Sequence, residues 1–229
     1  RLALDAFRDS KYQGTMAIQA MNLGAMYQMT GDLIEAEELL REALDAHVLF
    51  GMDMMTAATE INLAEVLVDQ GRWEEAREYI ARSLPVLAQA DEESAAVATA
   101  IAARLAARTG RLDEIGDLPE PRIAMMLEEV LAGVRLETAL AAADFTSARE
   151  QLASASEGGA DILYSNAYRA ALDPTREGIE AALAAARDQD DRLSAVFIRC
   201  LAGGELVDDA DAKALGVVDV PVWARPRSG

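Results

Sequence analysis

The 229-residue chain has little of what catalysis, metal binding or disulfide scaffolding requires. It contains one cysteine, Cys200, and one histidine, His47. One cysteine excludes an intrachain disulfide framework and suits a reduced compartment, so a cytoplasmic home is expected. One histidine and one cysteine do not make a His/Cys metal site. Aromatics are only 5% of the residues and prolines number six, too few breakers to interrupt long helices often. No apolar run approaches the roughly 18 residues needed to span a bilayer. Basic residues are also scarce, 21 against 40 acids, for a formal charge of −19. Nucleic-acid backbones and anionic membranes are bound through Lys and Arg, so neither is an expected partner. The acidic surface reads as a means of solubility.

Abundant alanine is the counterpart, about a fifth of the chain. Alanine is the best helix former and loses no side-chain entropy in a helix. The chain also repeats itself at an offset of forty residues. Ala3-Leu4-Asp5-Ala6 returns as Ala43-Leu44-Asp45-Ala46, Asn22-Leu23 as Asn62-Leu63, and Gly31 as Gly71. A dozen positions agree when residues 3–46 are laid on 43–86. A fixed period of about 20–50 residues signals stacked repeats. Because Ala3–Ala6 correspond to the middle of a repeat and the chain begins without Met, it reads as a segment of a longer protein.

Residues 15–29 space Met16, Ile18, Met21, Leu23, Met26 and Tyr27 in three- and four-residue steps, which predicts a helix. Gly31-Asp32 breaks it, and a second helix follows over 33–50 with Ala36, Leu39, Leu40, Ala43 and Leu44 on one face. The grammar recurs as a helix over 54–69, Gly71, and a helix over 73–89, so each unit is a helical hairpin with a tight glycine turn.

The string Asn22-Leu23-Gly24-x-x-Tyr27-x-x-x-Gly31-Asp32-x-x-x-Ala36-x-x-x-Leu40-x-x-Ala43 resembles the tetratricopeptide repeat signature. The next unit, Asn62-Leu63-Ala64-x-x-Leu67-x-x-x-Gly71-Arg72-x-x-x-Ala76-x-x-x-Ile80-x-x-Ser83, resembles it with two softened positions, Leu67 and Ser83. The resemblance implies an all-α superhelix of stacked antiparallel hairpins. The family's usual period is about 34 residues, so forty implies longer helices. That long variety is similar to repeat regions of large bacterial signalling proteins, such as ATPase-type transcriptional activators and multidomain adenylate or guanylate cyclases.

Beyond residue 90 the signature fades. Residues 1–115 are expected to hold regular repeats, the first truncated, and 116–121 an irregular joint marked by Gly116, Pro119 and Pro121. Degenerate hairpins are expected over 122–202. There a long helix over 122–143 is followed by a restart at Asp144-Phe145, closure at Gly158-Gly159, and helices over 161–172, 175–188 and 190–201. Residues 203–229 read as a final helix over 205–215 and an extended tail whose Val220, Val222 and Trp223 cap the last apolar face.

The sequence carries no phosphate loop and no zinc-binding helix motif. His47 reads as a surface or packed residue, and Cys200, among apolar neighbours, as an inert thiol. The carboxylate pairs Glu37-Glu38, Glu74-Glu75, Glu92-Glu93, Glu128-Glu129 and Asp208-Asp209 sit on amphipathic helices near arginines or at helix starts, and read as solvated faces. Asp188-Gln189-Asp190-Asp191 lacks the Gly and distal Glu of a calcium loop and reads as a turn. Seven methionines between Met16 and Met55 either fill the core or offer an adaptable binding surface.

In the family resembled, the first helix of each hairpin lines a concave groove. That places Ile18, Met21, Ala25 and Gln28 in the groove from one repeat and Ala58, Ile61, Glu65 and Val68 from the next. Asn22 and Asn62 stand beside them, each amide able to hold a peptide backbone. These positions carry no Lys or Arg pair, so the expected ligand is an apolar or mixed protein segment, a helix included. The expected function is a non-catalytic interaction scaffold without cofactor or metal, within a larger bacterial regulator. Alternatives are an intramolecular sensor restraining an attached catalytic or DNA-binding domain, and a hydrolytic site among carboxylates near the joint. Self-association through the Met-rich end is a further expectation.

Overall fold

A computed structural model describes residues 13–119, 125–157 and 164–226. The expected positions of Ala3–Ala6, Pro121, Gly158-Gly159 and the helix starts near 122 and 161 lie outside them. The described residues form helices α1 (Gln13–Thr30), α2 (Leu33–Leu49), α3 (Asp53–Gln70), α4 (Trp73–Ala90) and α5 (Glu92–Thr109). After a 3-10 turn at Leu112–Glu114 come α6 (Met125–Ala141), α7 (Phe145–Glu157), α8 (Ser165–Leu172), α9 (Arg176–Asp188), α10 (Arg192–Leu201) and α11 (Ala210–Leu215). Single 3-10 turns stand at Leu206–Asp208 and Val222–Ala224. No strand occurs among the described residues. Consecutive helices pack pairwise from α1 to α7, an all-α superhelix of stacked hairpins.

The hairpin turns explain the period. Gly31, Gly71 and Gly110 take φ of 83°, 78° and 76°, the left-handed region a Cβ disfavours. Each turn makes the same two backbone bonds: Gly71 N–H donates to Val68 O (3.2 Å) and Arg72 N–H to Leu67 O (2.8 Å), as Gly31-Asp32 and Gly110-Arg111 do to their own helices. This pairing satisfies carbonyls that a helix end would otherwise orphan.

The same turn persists where glycine does not. Ala143 has φ 57° and donates to Leu140 O, while Asp144 N–H donates to Ala139 O. Asp190 has φ 54°, with Asp191 N–H donating to Ala186 O. The fading signature of the C-terminal half is a loss of the glycine, not of the turn. The helix expected over 205–215 is divided, because Asp209 accepts from the N–H groups of Asp211 and Ala212 and so starts a new helix at Ala210.

One continuous core runs from Leu33, Ala36 and Leu40 of α2 through Leu63, Leu67 and Leu105 to Phe197, Trp223 and Ala224. That continuity reveals the main departure from a plain stack. The tail packs Trp223 on Tyr168 and Phe197 of the C-terminal helices. It also reaches the first hairpins, where α11 touches α2 and Val218 N–H donates to Gln70 O at the Gly71 turn (2.7 Å).

Candidate functional site

Helix α1 touches α3, and α3 touches α5, so the first helices of successive hairpins form one row, with α2 and α4 behind it. The ten residues expected to line a groove all lie on α1 and α3 of this row. Asn22 is exposed, and Ile18, Met21, Ala25, Ala58, Asn62 and Glu65 are half-buried. Ile61, Val68 and Gln28 are buried, with Val68 at 0% exposure, so they face the protein and not a partner. The physical reason is that α5 and the returning C-terminal elements close over the Gly71 end of the row. Val68 gives its carbonyl to Arg108 and Gln70 gives its carbonyl to the tail.

A buried ionic network lies where the row is closed. Arg108 donates to Asp69 (2.7 Å) and, through Nε and Nη2, to Glu137 (3.1 and 2.9 Å), and all three side chains are fully buried. Gln28 donates to the other oxygen of Asp69 (2.7 Å), and the Tyr168 hydroxyl donates to Glu137 (2.7 Å). One turn away, Arg104 donates to Glu65 (3.0 Å). Tyr164 stacks against both guanidinium groups, 5.1 Å from Arg104 and 5.0 Å from Arg108. Phe197 and Trp223 complete an aromatic cluster with Tyr164 and Tyr168.

Burial works against the charge on Arg108, but Glu137 and Asp69 outweigh it and hold the guanidinium protonated. Burial pushes the Glu65 carboxyl up, against the opposing pull of Arg104. It also raises both tyrosine hydroxyls well above their usual range, so they remain neutral donors. Asp69, Arg108, Glu137, Gln28 and Tyr168 pair with one another while Arg104 Nε stays without a hydrogen bond, 3.7 Å from Glu137, and the arrangement acts as a structural lock. Sequence reasoning missed it, since the inner positions of the first two repeats show no Lys or Arg pair. The equivalent positions of the third hold Arg104 and Arg108, and only the offset of 39 residues from Glu65 and Asp69 pointed to them.

At the other end the row is open. The face bearing Ile18, Met21, Ala25 and Gln28 leads into a cleft of about 800 Å³ between the Gly31 turn, the start of α8 at Tyr164, Ser165 and Arg169, and the turn at Gln189, Asp190 and Asp191. Exposed apolar side chains stand nearby on α1. Met26 is 63% and Met29 54% exposed, while Met16, Met21, Met52, Met54 and Met55 are partly buried. The methionines thus divide between packing and surface. Leu23 and Met26 are partly or largely exposed, although their equivalents in the next repeat, Leu63 and Val66, are fully buried.

The remaining candidates are structural. His47 is fully buried, with Nδ1 2.9 Å from Thr59 Oγ1. The thiol of Cys200 is buried, which pushes its pKa up and leaves it unreactive. Glu37 and Glu75 bind Arg41 and Arg72 across α2 and α4. Asp188–Asp191 is a turn in which Asp191 caps α10 through the Ser194 amide. Side chains of Glu128 and Glu129 lie outside the described ones. Among the described residues no group of three His, Cys, Asp or Glu is placed to hold a metal ion, and no helix is long and apolar enough to cross a membrane.

A family model of the tetratricopeptide repeat matches residues 15–89. These are the residues of α1 to α4, the two hairpins whose inner helices carry the open face. Repeats of this kind generally mediate protein–protein interaction. No curated protein and no solved structure matches the chain.

Proposed function

We propose, from the premise that residues 15–89 are tetratricopeptide repeats, that the chain is a non-catalytic scaffold binding a protein segment at the open end of its inner row. One observation carries this reading. The inner-row residues left accessible, Ile18, Met21, Asn22, Ala25, Ala58 and Asn62, lie on the packed helices α1 and α3, and α1 ends at the cleft lined by Met29, Gly31 and Asp32. Apolar side chains flanked by two amides suit a segment with one apolar stripe, whose backbone the amides meet.

The test is capture of partners on the immobilised chain, with Met21→Glu and Ala58→Glu as variants checked for retained helicity. Each variant is expected to weaken binding of the wild-type partner at least tenfold. Equal binding by both folded variants removes the open face from the reading.

A place within a larger bacterial signalling protein is supported by the forty-residue period. Self-association is supported by exposed Met26 and Met29 beside Leu23. Light scattering at two concentrations, with Met26→Glu as the control, separates self-association from binding to other proteins. If the mass is the same at both concentrations, self-association is excluded.

A further inference from the structure

The tail occupies a second surface, distinct from the open end of the row. Residues 217–221 run without helix across the Gly71 turn and enter the 3-10 turn Val222–Ala224. Its contacts combine backbone and side-chain recognition. Val218 N–H donates to Gln70 O (2.7 Å), and the Trp73 indole N–H donates to the Asp219 carboxylate (2.9 Å). Val222 lies over Gly110, and Trp223 packs on Tyr168 and Phe197 with centroids 5.2 and 5.8 Å away. A methyl group at Gly71 (φ 78°) would overlap the Asp219 carbonyl, whereas at Gly31 (φ 83°) it would meet nothing. Gly71 is therefore needed twice, for its turn and for the approach of the tail.

This surface has the parts of a peptide site: a carbonyl that accepts from the ligand backbone, an indole N–H for an acid, and an aromatic slot for a ring. Its occupant is imperfect. The Trp223 indole N–H is buried without a hydrogen-bond partner, a loss that a competing segment with phenylalanine in the aromatic slot avoids. The Val218 side chain is 64% exposed, so this residue contributes to the seat through its backbone N–H alone.

We propose that the surface formed by Gln70, Gly71, Trp73, Gly110, Tyr168 and Phe197 recognises an extended protein segment carrying Asp–apolar–Pro–x–Phe. The chain's own Asp219-Val220-Pro221-Val222-Trp223 fills it as an internal ligand until a partner segment of that chemistry displaces it. The exchange is non-covalent and needs only that the tail open independently of the helices.

The experiment uses the full chain and a fluorescent peptide spanning residues 216–226. In the Asp219→Ala/Trp223→Ala variant the internal tail is weakened and the receiving surface is untouched. The peptide is expected to bind this variant at least tenfold more tightly than the wild type, by anisotropy. Adding Gly71→Ala is expected to lower that binding tenfold. Hydrogen exchange on the wild type is expected to show the Val218 amide exchanging at least a hundredfold faster than the amides of Val66 and Leu67. Absence of peptide binding to the folded double variant overturns the proposal. So does equal binding to both proteins, tail exchange at the rate of the α3 core, or unfolding of the double variant, which would make the tail an obligate part of the core.

Discussion

Asp69 and Arg108 occupy the same position in successive repeats, and they meet at 2.7 Å with both side chains fully buried. One turn earlier, Glu65 and Arg104 repeat the pairing at 3.0 Å. An acid on one inner helix thus meets an arginine on the next, and Glu137 of α6 supplies the second acid that Arg108 requires. Removing one member of a buried pair leaves the other uncompensated.

Arg108→Met is expected to destabilise the fold by about 3–5 kcal/mol, because Asp69 then loses its cation and Glu137 keeps only Arg104, 3.7 Å away. The triple variant Arg108→Met/Asp69→Asn/Glu137→Gln should recover more than half of that loss. Its amide oxygens still accept from Gln28 and Tyr168. Urea unfolding of both variants measures the difference.

His47 is expected to make the fold acid-sensitive. Burial depresses its pKa below the ordinary 6.5. Its Nε2 is buried and unpaired. The unfolded chain therefore binds a proton more readily than the folded one. The contribution of His47 to stability is complete above pH 6.5 and is lost as pH falls through and below that value. In the next repeat the equivalent residue is Leu87, also buried. His47→Leu should flatten the stability profile between pH 7 and 5 in thermal melts. An unchanged slope would assign the acid sensitivity elsewhere.

Ala143→Gly should stabilise the protein by about 0.5–1 kcal/mol. Ala143 holds φ 57° in a turn that glycine makes in the first three hairpins. A left-handed non-glycine residue costs roughly 1–2 kcal/mol, part of which glycine gives back as chain entropy. The shift in urea midpoint at constant m-value reads it directly.

Gly31→Ala and Gly71→Ala bear the same turn strain, about 1 kcal/mol each. Only the second adds overlap with the Asp219 carbonyl. Gly71→Ala should therefore lose at least 1 kcal/mol more than Gly31→Ala, together with increased solvent access at Trp223 by fluorescence quenching. Equal losses would show that the tail adjusts without cost.

Trp223→Phe is expected to cost less than about 1.5 kcal/mol, because the indole N–H it removes has no partner and the ring contacts with Tyr168 and Phe197 are largely retained. Tyr168→Phe, which removes a hydroxyl donor from the buried Glu137 carboxylate and leaves Arg108 as its donor, should cost about 1.5–3 kcal/mol. A reversed order of these two variants in chemical denaturation would refute the assignment.

Much of the fold was legible because repeats advertise themselves locally. Gly31 and Gly71, with Ala36 and Ala76 after them, mark helix ends and packing positions within each hairpin. The break after Ala143 was legible from the restart of the pattern at Asp144-Phe145, but its left-handed turn was not, because that geometry is imposed by the helices it joins and not by its own residue. Of the groove positions, Ile18, Met21, Ala25 and Asn22 stand accessible on α1, while Ile61 and Val68 share their periodicity and lie buried. Periodicity gives the face of a helix. It does not give what later segments of the chain lay against that face.

The sequence by itself determined the helical hairpins, their glycine turns and their order, since these follow from local conformational energy and from a spacing of apolar residues that recurs every forty positions. The tertiary structure alone decided that the row is locked by Asp69, Arg108 and Glu137, and that the tail returns to Gly71. Those contacts join residues 39, 29 and 148 positions apart. Long-range closure depends on the summed shape and charge of many segments, for which no local pattern carries a signal.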